Sequence, residues 1–307
     1  MSDSTHTPGA GDTPELAFTG ERFIPGCQGE IVYEHWHRYL LAAEHVTGRR
    51  VLDIACGEGY GSAMLARTAA DVTGIDISAE AVAHAGRRYG DFGNLRYLQA
   101  SCDRIPLADA CCDVVVTFET IEHIHTQQAF VEEIARVLAP GGMLVMSSPN
   151  RDEYSTVLGH QNEFHVRELD GPELRELLHP HFPAQRWFAQ RPCFHSLVWP
   201  LDQDTDDSRM MAVDGARDEP EPLYYLVFCG RSEEDVSAVG STLSLVADAD
   251  RSVYREWSRT YAENRRLHER NRELREQLAR AKVTDAAAPT RPSGSPLARL
   301  LRRWLGG

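Results

Sequence analysis

The chain has 307 residues, 42% of them apolar, with 46 acidic against 32 basic side chains and a formal charge of −14. That length supports one large core plus an appendage, and no apolar run approaches about 18 residues, so a cytoplasmic protein is expected rather than a membrane-spanning one. Residues 251–307 hold 14 Lys/Arg and 6 Asp/Glu, leaving 18 against 40 in the first 250; so acidic a body makes nucleic acid an unlikely main substrate.

Residues 1–17 are polar and rich in Gly, Pro and Thr, are expected to be disordered, and lack the basic-then-apolar pattern of a secretory signal. The seven cysteines contain no Cys-x-x-Cys pair and read as reduced thiols rather than a disulfide framework or zinc site. A helix is expected over 33–46. Residues 50–55 then read as an apolar strand that carries Asp53 and runs into three alternating glycines, Gly57, Gly59 and Gly61, before a helix over 62–70. Such a strand, turn and helix lets backbone approach a nucleoside-type ligand closely.

A second strand over 72–75 ends on Asp76, 23 positions after Asp53, about where nucleotide-binding folds place a ribose-binding carboxylate. The dinucleotide fingerprint fails, because its third glycine position falls on Ser62, and a carboxylate before the turn repels phosphate but suits a cation. S-adenosylmethionine, with a sulfonium, an α-ammonium and no phosphate, fits better than NAD. Further strands are expected over 95–101, 113–119 and 143–150, with a helix over 130–140 and a last strand over 223–229. Residues 202–221 add eight carboxylates and read as a solvated acidic insertion.

Taken in order, these segments resemble the class I S-adenosylmethionine-dependent methyltransferases over roughly residues 18–231. The resemblance implies an α/β fold, a doubly wound Rossmann-like sheet with a closing antiparallel strand, and S-adenosyl-L-methionine as cofactor. It implies cofactor contacts at Arg38, Asp53, Ala55, Gly57, Glu58 and Gly59, and further along at Asp76, Ile77, Ser101, Cys102 and Glu119. Ser101 stands where the family's adenine loop usually has Asp, which leaves the backbone amides of Ser101 and Cys102 to make that contact. Arg38 either pairs with the methionine carboxylate as a two-pronged donor or, with Tyr39, docks its helix on the sheet. The blocks at 19–26, 33–39, 148–150 and 162–169 are similar to a bacterial subgroup associated with O-antigen and surface-polysaccharide assembly, which implies a sugar or glycan hydroxyl as acceptor.

A hydroxyl acceptor benefits from a base. His123 is the first candidate, His165 the second, and Glu122 is placed to orient one of them. A rival reading uses the same atoms: Glu119, Glu122, His123 and His165 are similar to the divalent-metal set of small-RNA 3′-terminal 2′-O-methyltransferases. Two further readings stay open: a catalytically silent cofactor-binding scaffold, and a small-metabolite methyltransferase of natural-product assembly.

Past a linker at 232–250, the positions Val253, Trp257, Thr260, Asn264, Leu267, Asn271, Leu274, Leu278 and Ala281 alternate by four and three. This is a heptad seam over 251–282, expected to form a coiled-coil-like helix that pairs the chain as a homodimer. A linker at 283–296 leads to 297–307, a short basic helix. Its Leu297, Leu300, Leu301, Trp304 and Leu305 share one face, and Arg299, Arg302 and Arg303 lie largely on the other. That pattern suits the surface of an anionic membrane, with docking on an acidic protein surface as the alternative.

Overall fold

A computed structural model describes residues 30–159, 162–193, 221–246 and 252–286, and the chain divides into two compact units, Met1–Ala249 and Asp250–Gly307. In the first unit, strands β1 (Arg50–Ile54), β2 (Asp71–Asp76), β3 (Leu95–Gln99), β4 (Cys112–Thr117), β5 (Leu138–Pro149), β6 (Ala184–Gln190) and β7 (Tyr224–Gly230) form one sheet. Their order is β3-β2-β1-β4-β5-β7-β6. Neighbours from β3 through to β5 run parallel, and β7 lies antiparallel between β5 and β6. This is the doubly wound sheet with an antiparallel strand that the sequence leads one to expect.

Alternation along the strands divides the core in two. Val51, Val72, Val114, Val116 and Val145 face one layer. That layer is built from helices α1 (Glu30–Ala43), α2 (Tyr60–Leu65) and α3 (Ala79–Tyr89). Leu52, Ile75, Val115 and Leu144 face the other side, where α4 (Gln127–Val137) and α5 (Gly171–Leu178) contribute Phe130, Ile134, Leu174 and Leu178. Inner strands buried on both faces must be apolar at almost every position, which is why they read as Val/Ile/Leu runs. The starts of α3 and α5 are fixed by caps. Ser78 Oγ accepts from the Ala81 amide at 3.2 Å, and Asp170 and Glu173 form a reciprocal capping box beside Pro172.

Several boundaries differ from expectation. Helix α1 starts and ends three residues early, and α2 runs over Tyr60–Leu65 instead of 62–70. Helix α4 stops at Val137 instead of 140, because Pro140 disfavours helical backbone at Ala139 and Leu138 already pairs with Cys112 of β4. The expected linker at 232–250 is partly body: Val236 is fully buried in the first core layer and Ser244 Oγ lies 2.9 Å from His37 Nε2. Burial of an aliphatic side chain such as Val236 contributes roughly 1.5–3 kcal/mol, so the segment is packed down. The six described cysteines are free thiols.

In the second unit, α6 (Ser252–Ala286) is one helix of 35 residues, slightly longer than the expected 251–282. Every side chain from 254 to 279 is exposed. Tyr254, Trp257 and Tyr261 line up along it with ring centroids 5.8 and 5.5 Å apart. Among the described residues no helix is long and apolar enough to cross a membrane. The expected disordered segment at 1–17, the motif at 19–26, almost all of the insertion at 202–221 and the basic segment at 297–307 lie outside the described residues.

Candidate active site

Strand β1 has β2 on one side and β4 on the other, so the crossovers leaving it diverge and open a crevice at the carboxyl ends of the strands. The β1 turn enters that crevice through three residues in the left-handed region: Ala55 (φ 58°), Gly57 (φ 55°) and Gly59 (φ 94°). For Ala55 this conformation costs about 1–2 kcal/mol, which the surrounding hydrogen bonds must offset. The Cys56 amide donates to the Ile75 carbonyl, the Gly57 amide to Asp76 Oδ2, and the Gly59 amide to the Cys56 carbonyl, each at 2.9 Å. A Cβ at Gly59 would sit 2.6 Å from Ala85 Cβ and 2.8 Å from the Tyr97 hydroxyl, so the turn tolerates no side chain there. Gly61 has a different job. A Cβ there would lie 2.0 Å from Tyr39 Cζ, so this glycine lets α1 and α2 close on each other rather than admitting a ligand.

The carboxylates around the turn divide their labour. Asp76 bridges the turn and the end of β2, accepting from the Gly57 amide and, through Oδ1, from the Ser78 amide at 2.8 Å. Asp53 lies fully buried beneath the turn, receiving Ser62 Oγ at 2.6 Å and the Tyr39 hydroxyl at 3.1 Å. Burial pushes its carboxyl up from 3.8 to about 7, against the opposing pull of those two hydrogen bonds. Buried there with both oxygens engaged, it supports the turn from beneath. The Glu58 side chain turns to α3, where His84 Nε2 (3.1 Å), Arg88 Nε (3.0 Å) and the Tyr89 hydroxyl (2.8 Å) meet it, which leaves its backbone for any contact in the crevice. The side chain is drawn there because a buried carboxylate needs those partners.

Ile77, just past β2, is 73% exposed and presents an apolar face at the crevice, its carbonyl held by Gln99 Nε2 at 3.1 Å. Ser101 Oγ donates to Asp103 Oδ1 at 2.6 Å, and Asp103 Oδ2 receives Thr126 Oγ1 at 2.8 Å. The loop's carboxylate is therefore Asp103, two positions after Ser101. Burial pushes the Cys102 thiol up to about 11, so it stays protonated at neutral pH.

Across the crevice, Glu119 follows β4 in the left-handed region (φ 48°) and is pinned there by Ser147 of β5. Its amide donates to Ser147 Oγ at 3.1 Å, and Ser147 Oγ donates back to Glu119 Oε1 at 2.6 Å. Arg38 of α1 reaches the same place. Its Nη1 is 3.4 Å from Glu119 Oε1, its Nε donates to Gln190 Oε1 at 2.6 Å, and its guanidinium lies 4.5 Å from the Tyr224 ring centroid. Neither Nη atom makes a hydrogen bond, so beyond the ion pair of Nη1 with Glu119 their N–H groups remain for an anionic group.

Beyond Glu119 a short 3₁₀ turn, Ile121–His123, carries Glu122 and His123. The Glu122 carbonyl accepts from the amides of Val166 (2.8 Å) and Arg167 (3.1 Å), which draws in the loop that carries His165. The imidazoles of His123 and His165 meet edge to face at 4.9 Å between centroids. Tyr154 stacks on His165 at 5.6 Å and stands 5.9 Å from Tyr224. Glu122 is fully buried; burial first and then neighbouring Glu119 hold its carboxyl well above the usual carboxylate range. Of the four residues in the rival metal set, the structure brings together Glu122, His123 and His165. Glu119 is turned away to Ser147 and Arg38.

Sequence reasoning missed Tyr39 as the partner of Asp53, and Ser147, Glu168, Gln190 and Tyr224. Glu168 carried a local signal, three positions after His165. Gln190 reaches the site through pairing of β6 with β7, which no local pattern reveals, whereas Tyr224 stands on the last strand, opposite Pro149 of β5.

Residues 52–146 match the family model described as "Methyltransferase domain". Over 169 residues the chain is 43% identical to a probable S-adenosylmethionine-dependent methyltransferase of Mycolicibacterium smegmatis, covering 53% of this chain and 63% of that protein. A probable S-adenosylmethionine-dependent methyltransferase of Mycobacterium tuberculosis is 42% identical over 166 residues, covering 53% and 60%. A ubiquinone biosynthesis O-methyltransferase of Psychrobacter cryohalolentis is 36% identical over 131 residues, covering 41% and 51%. The chain thus spans little more than half the length of these curated relatives. A solved structure of a Pyrococcus horikoshii protein superposes with a TM-score of 0.51 at 19% identity, covering 69% of this chain and 95% of that one, and supports the fold.

Proposed function

We propose that the chain, whose residues 52–146 match a methyltransferase domain, is a class I S-adenosylmethionine-dependent enzyme that moves the cofactor's methyl group to a hydroxyl of a small molecule. One juxtaposition carries the reading. Ile54 of β1 pairs in register with Thr117 of β4, so the glycine turn and the cluster of Glu122, His123 and His165 leave neighbouring strands side by side. In this reading Asp76 meets the ribose, Ile77 and the loop at 101–103 meet the adenine, and Arg38, through Nη groups that make no hydrogen bond, meets the methionine carboxylate. Positioning supplies much of the acceleration, because the methyl carbon is already activated by the sulfonium. The cluster of Glu122, His123 and His165 meets the acceptor hydroxyl, whose proton must leave as the new bond forms.

A sugar or glycan acceptor, as in surface-polysaccharide assembly, is the acceptor we propose. Tyr154, half-buried and stacked on His165, gives the site an aromatic wall for a sugar ring. A phenolic, quinol-type acceptor is the second reading, favoured by the ubiquinone O-methyltransferase relative. Incubation with methyl-labelled S-adenosylmethionine and a panel of nucleotide sugars, glycans and quinols tests both. Label transferred to none of them, with the cofactor bound, would leave a cofactor-binding scaffold. We propose also that α6 pairs with a second copy of the chain through its seam, and that the basic segment at 297–305 touches anionic membrane.

A further inference from the structure

Glu122, His123 and His165 each place one ligand atom so that all three lie within 4.8 Å of one another. Hydrogen bonds fix both rings. His165 Nδ1 donates to Glu168 Oε1 at 2.5 Å, and Glu168 is held in turn by Ser155 Oγ. His123 Nδ1 donates to the Phe164 carbonyl at 3.2 Å. With Nδ1 carrying the proton in each neutral ring, Nε2 carries the lone pair, the tautomer a metal ligand needs. His123 Nε2 lies 3.9 Å from Glu122 Oε1, too far for a hydrogen bond. Two ligands about 2.1 Å from one ion stand roughly 3 to 4 Å apart, so the set needs little contraction to close on one. Both oxygens of Glu122 are buried without a hydrogen-bond partner, so they remain for a cation that displaces the carboxyl proton.

We infer that Glu122, His123 and His165 bind a divalent first-row transition ion, with Glu168 as the positioning residue behind His165. Two imidazoles and one carboxylate suit Mn²⁺, Fe²⁺ or Zn²⁺ better than Mg²⁺ or Ca²⁺, which take oxygen ligands. The use of the ion rests on the methyl-transfer reading. It would hold the acceptor oxygen and lower its pKa, so that the hydroxyl proton passes to water. The oxygen's electron pair then forms the bond to the methyl carbon, while the carbon–sulfur bond breaks and its pair returns to sulfur. The proposal needs three protein ligands, with Glu119 outside the set.

The test is titration of chelator-treated full-length protein with Mn²⁺ and, separately, Zn²⁺. Calorimetry follows both, electron paramagnetic resonance follows Mn²⁺, and S-adenosylmethionine is titrated in parallel. One ion per chain is expected, bound about 10- to 100-fold more weakly in Glu168→Gln and lost in Glu122→Gln and His165→Ala. Circular dichroism confirms that each variant is folded, and Glu168→Gln tests the site through a residue that is not a ligand. Absence of saturable binding in the wild type, or unchanged affinity in folded His165→Ala, overturns the inference. Ion binding without cofactor binding upholds the ion site and sinks the methyl-transfer reading instead.

Discussion

The two banks of the crevice are built by different means. On the β1–β2 bank one contiguous stretch, residues 53–76, supplies the turn, its buried support Asp53 and the bridging Asp76, and most contacts run through backbone amides. The β4–β5 bank is gathered from Arg38, Glu119, Glu122, His123, Ser147, His165, Gln190 and Tyr224, on elements spread over nearly the whole body, and most contacts run between side chains. A bank made of backbone is set by the fold and is hard to alter one residue at a time. A bank made of side chains can be retuned by single substitutions, which suits the role proposed for it, meeting the acceptor through Glu122, His123 and His165 and the end of the cofactor through Arg38.

The comparison can be broken at either bank. The largest effect is expected from His165→Ala, with turnover falling by about 10²–10⁴ while cofactor affinity stays within about tenfold. Steady-state rates and calorimetry check the pair of numbers, and joint loss of both would mean the banks are not separable. Next comes a pH effect from Asp53. Its carboxyl is raised from 3.8 to about 7 by folding, so the folded state binds the extra proton more tightly. The stability this confers is fully present below about pH 4 and is lost as pH rises through about 7, up to about 4 kcal/mol. Urea unfolding at pH 5 and pH 8 should show a smaller difference in Asp53→Asn than in the wild type; an identical difference would refute the assignment.

Smaller effects sharpen the picture. Gly61→Val should destabilise the fold by about 3 kcal/mol, since its branched side chain must displace the Tyr39 ring. Asp76→Ala removes the acceptor of two backbone amides, and a roughly 10- to 100-fold loss of cofactor affinity is expected, with turnover at saturating cofactor little changed. The smallest effect on catalysis belongs to α6. Leu274→Lys with Leu278→Lys should shift sedimentation from dimer to monomer and leave cofactor affinity as it was.

These banks also explain what could be read in the sequence. The turn was legible because Asp53, the glycines and Asp76 lie on one stretch of chain with fixed spacing, and the inner strands because burial on both faces forces apolar runs. Which way each side chain faces was not legible. Glu58 and Gly61 sit in the motif yet serve α3 and α1, because orientation is decided by packing partners that lie elsewhere in the chain. On the other bank Glu122, His123 and His165 were picked out by residue type, but Arg38's partner Gln190 sits on β6, whose place at the edge beyond β7 only the sheet order discloses. The packed segment at 232–246 read as a linker because one buried valine, Val236, leaves no periodic trace.

Ala55 and Glu119 end two neighbouring strands in the same left-handed conformation, and Ala110 adopts it just before β4. For protein engineering the three are not equivalent. Glycine at any of them relieves the clash between Cβ and backbone, and at Ala110 the benefit should come without a functional penalty. At Ala55 and Glu119 the same exchange would loosen the two hinges from which the banks hang. A search for heat-resistant variants that scored stability alone would select the exchanges at Ala110 and Ala55 and reject the one at Glu119, whose carboxylate is the ion-pair partner of buried Arg38.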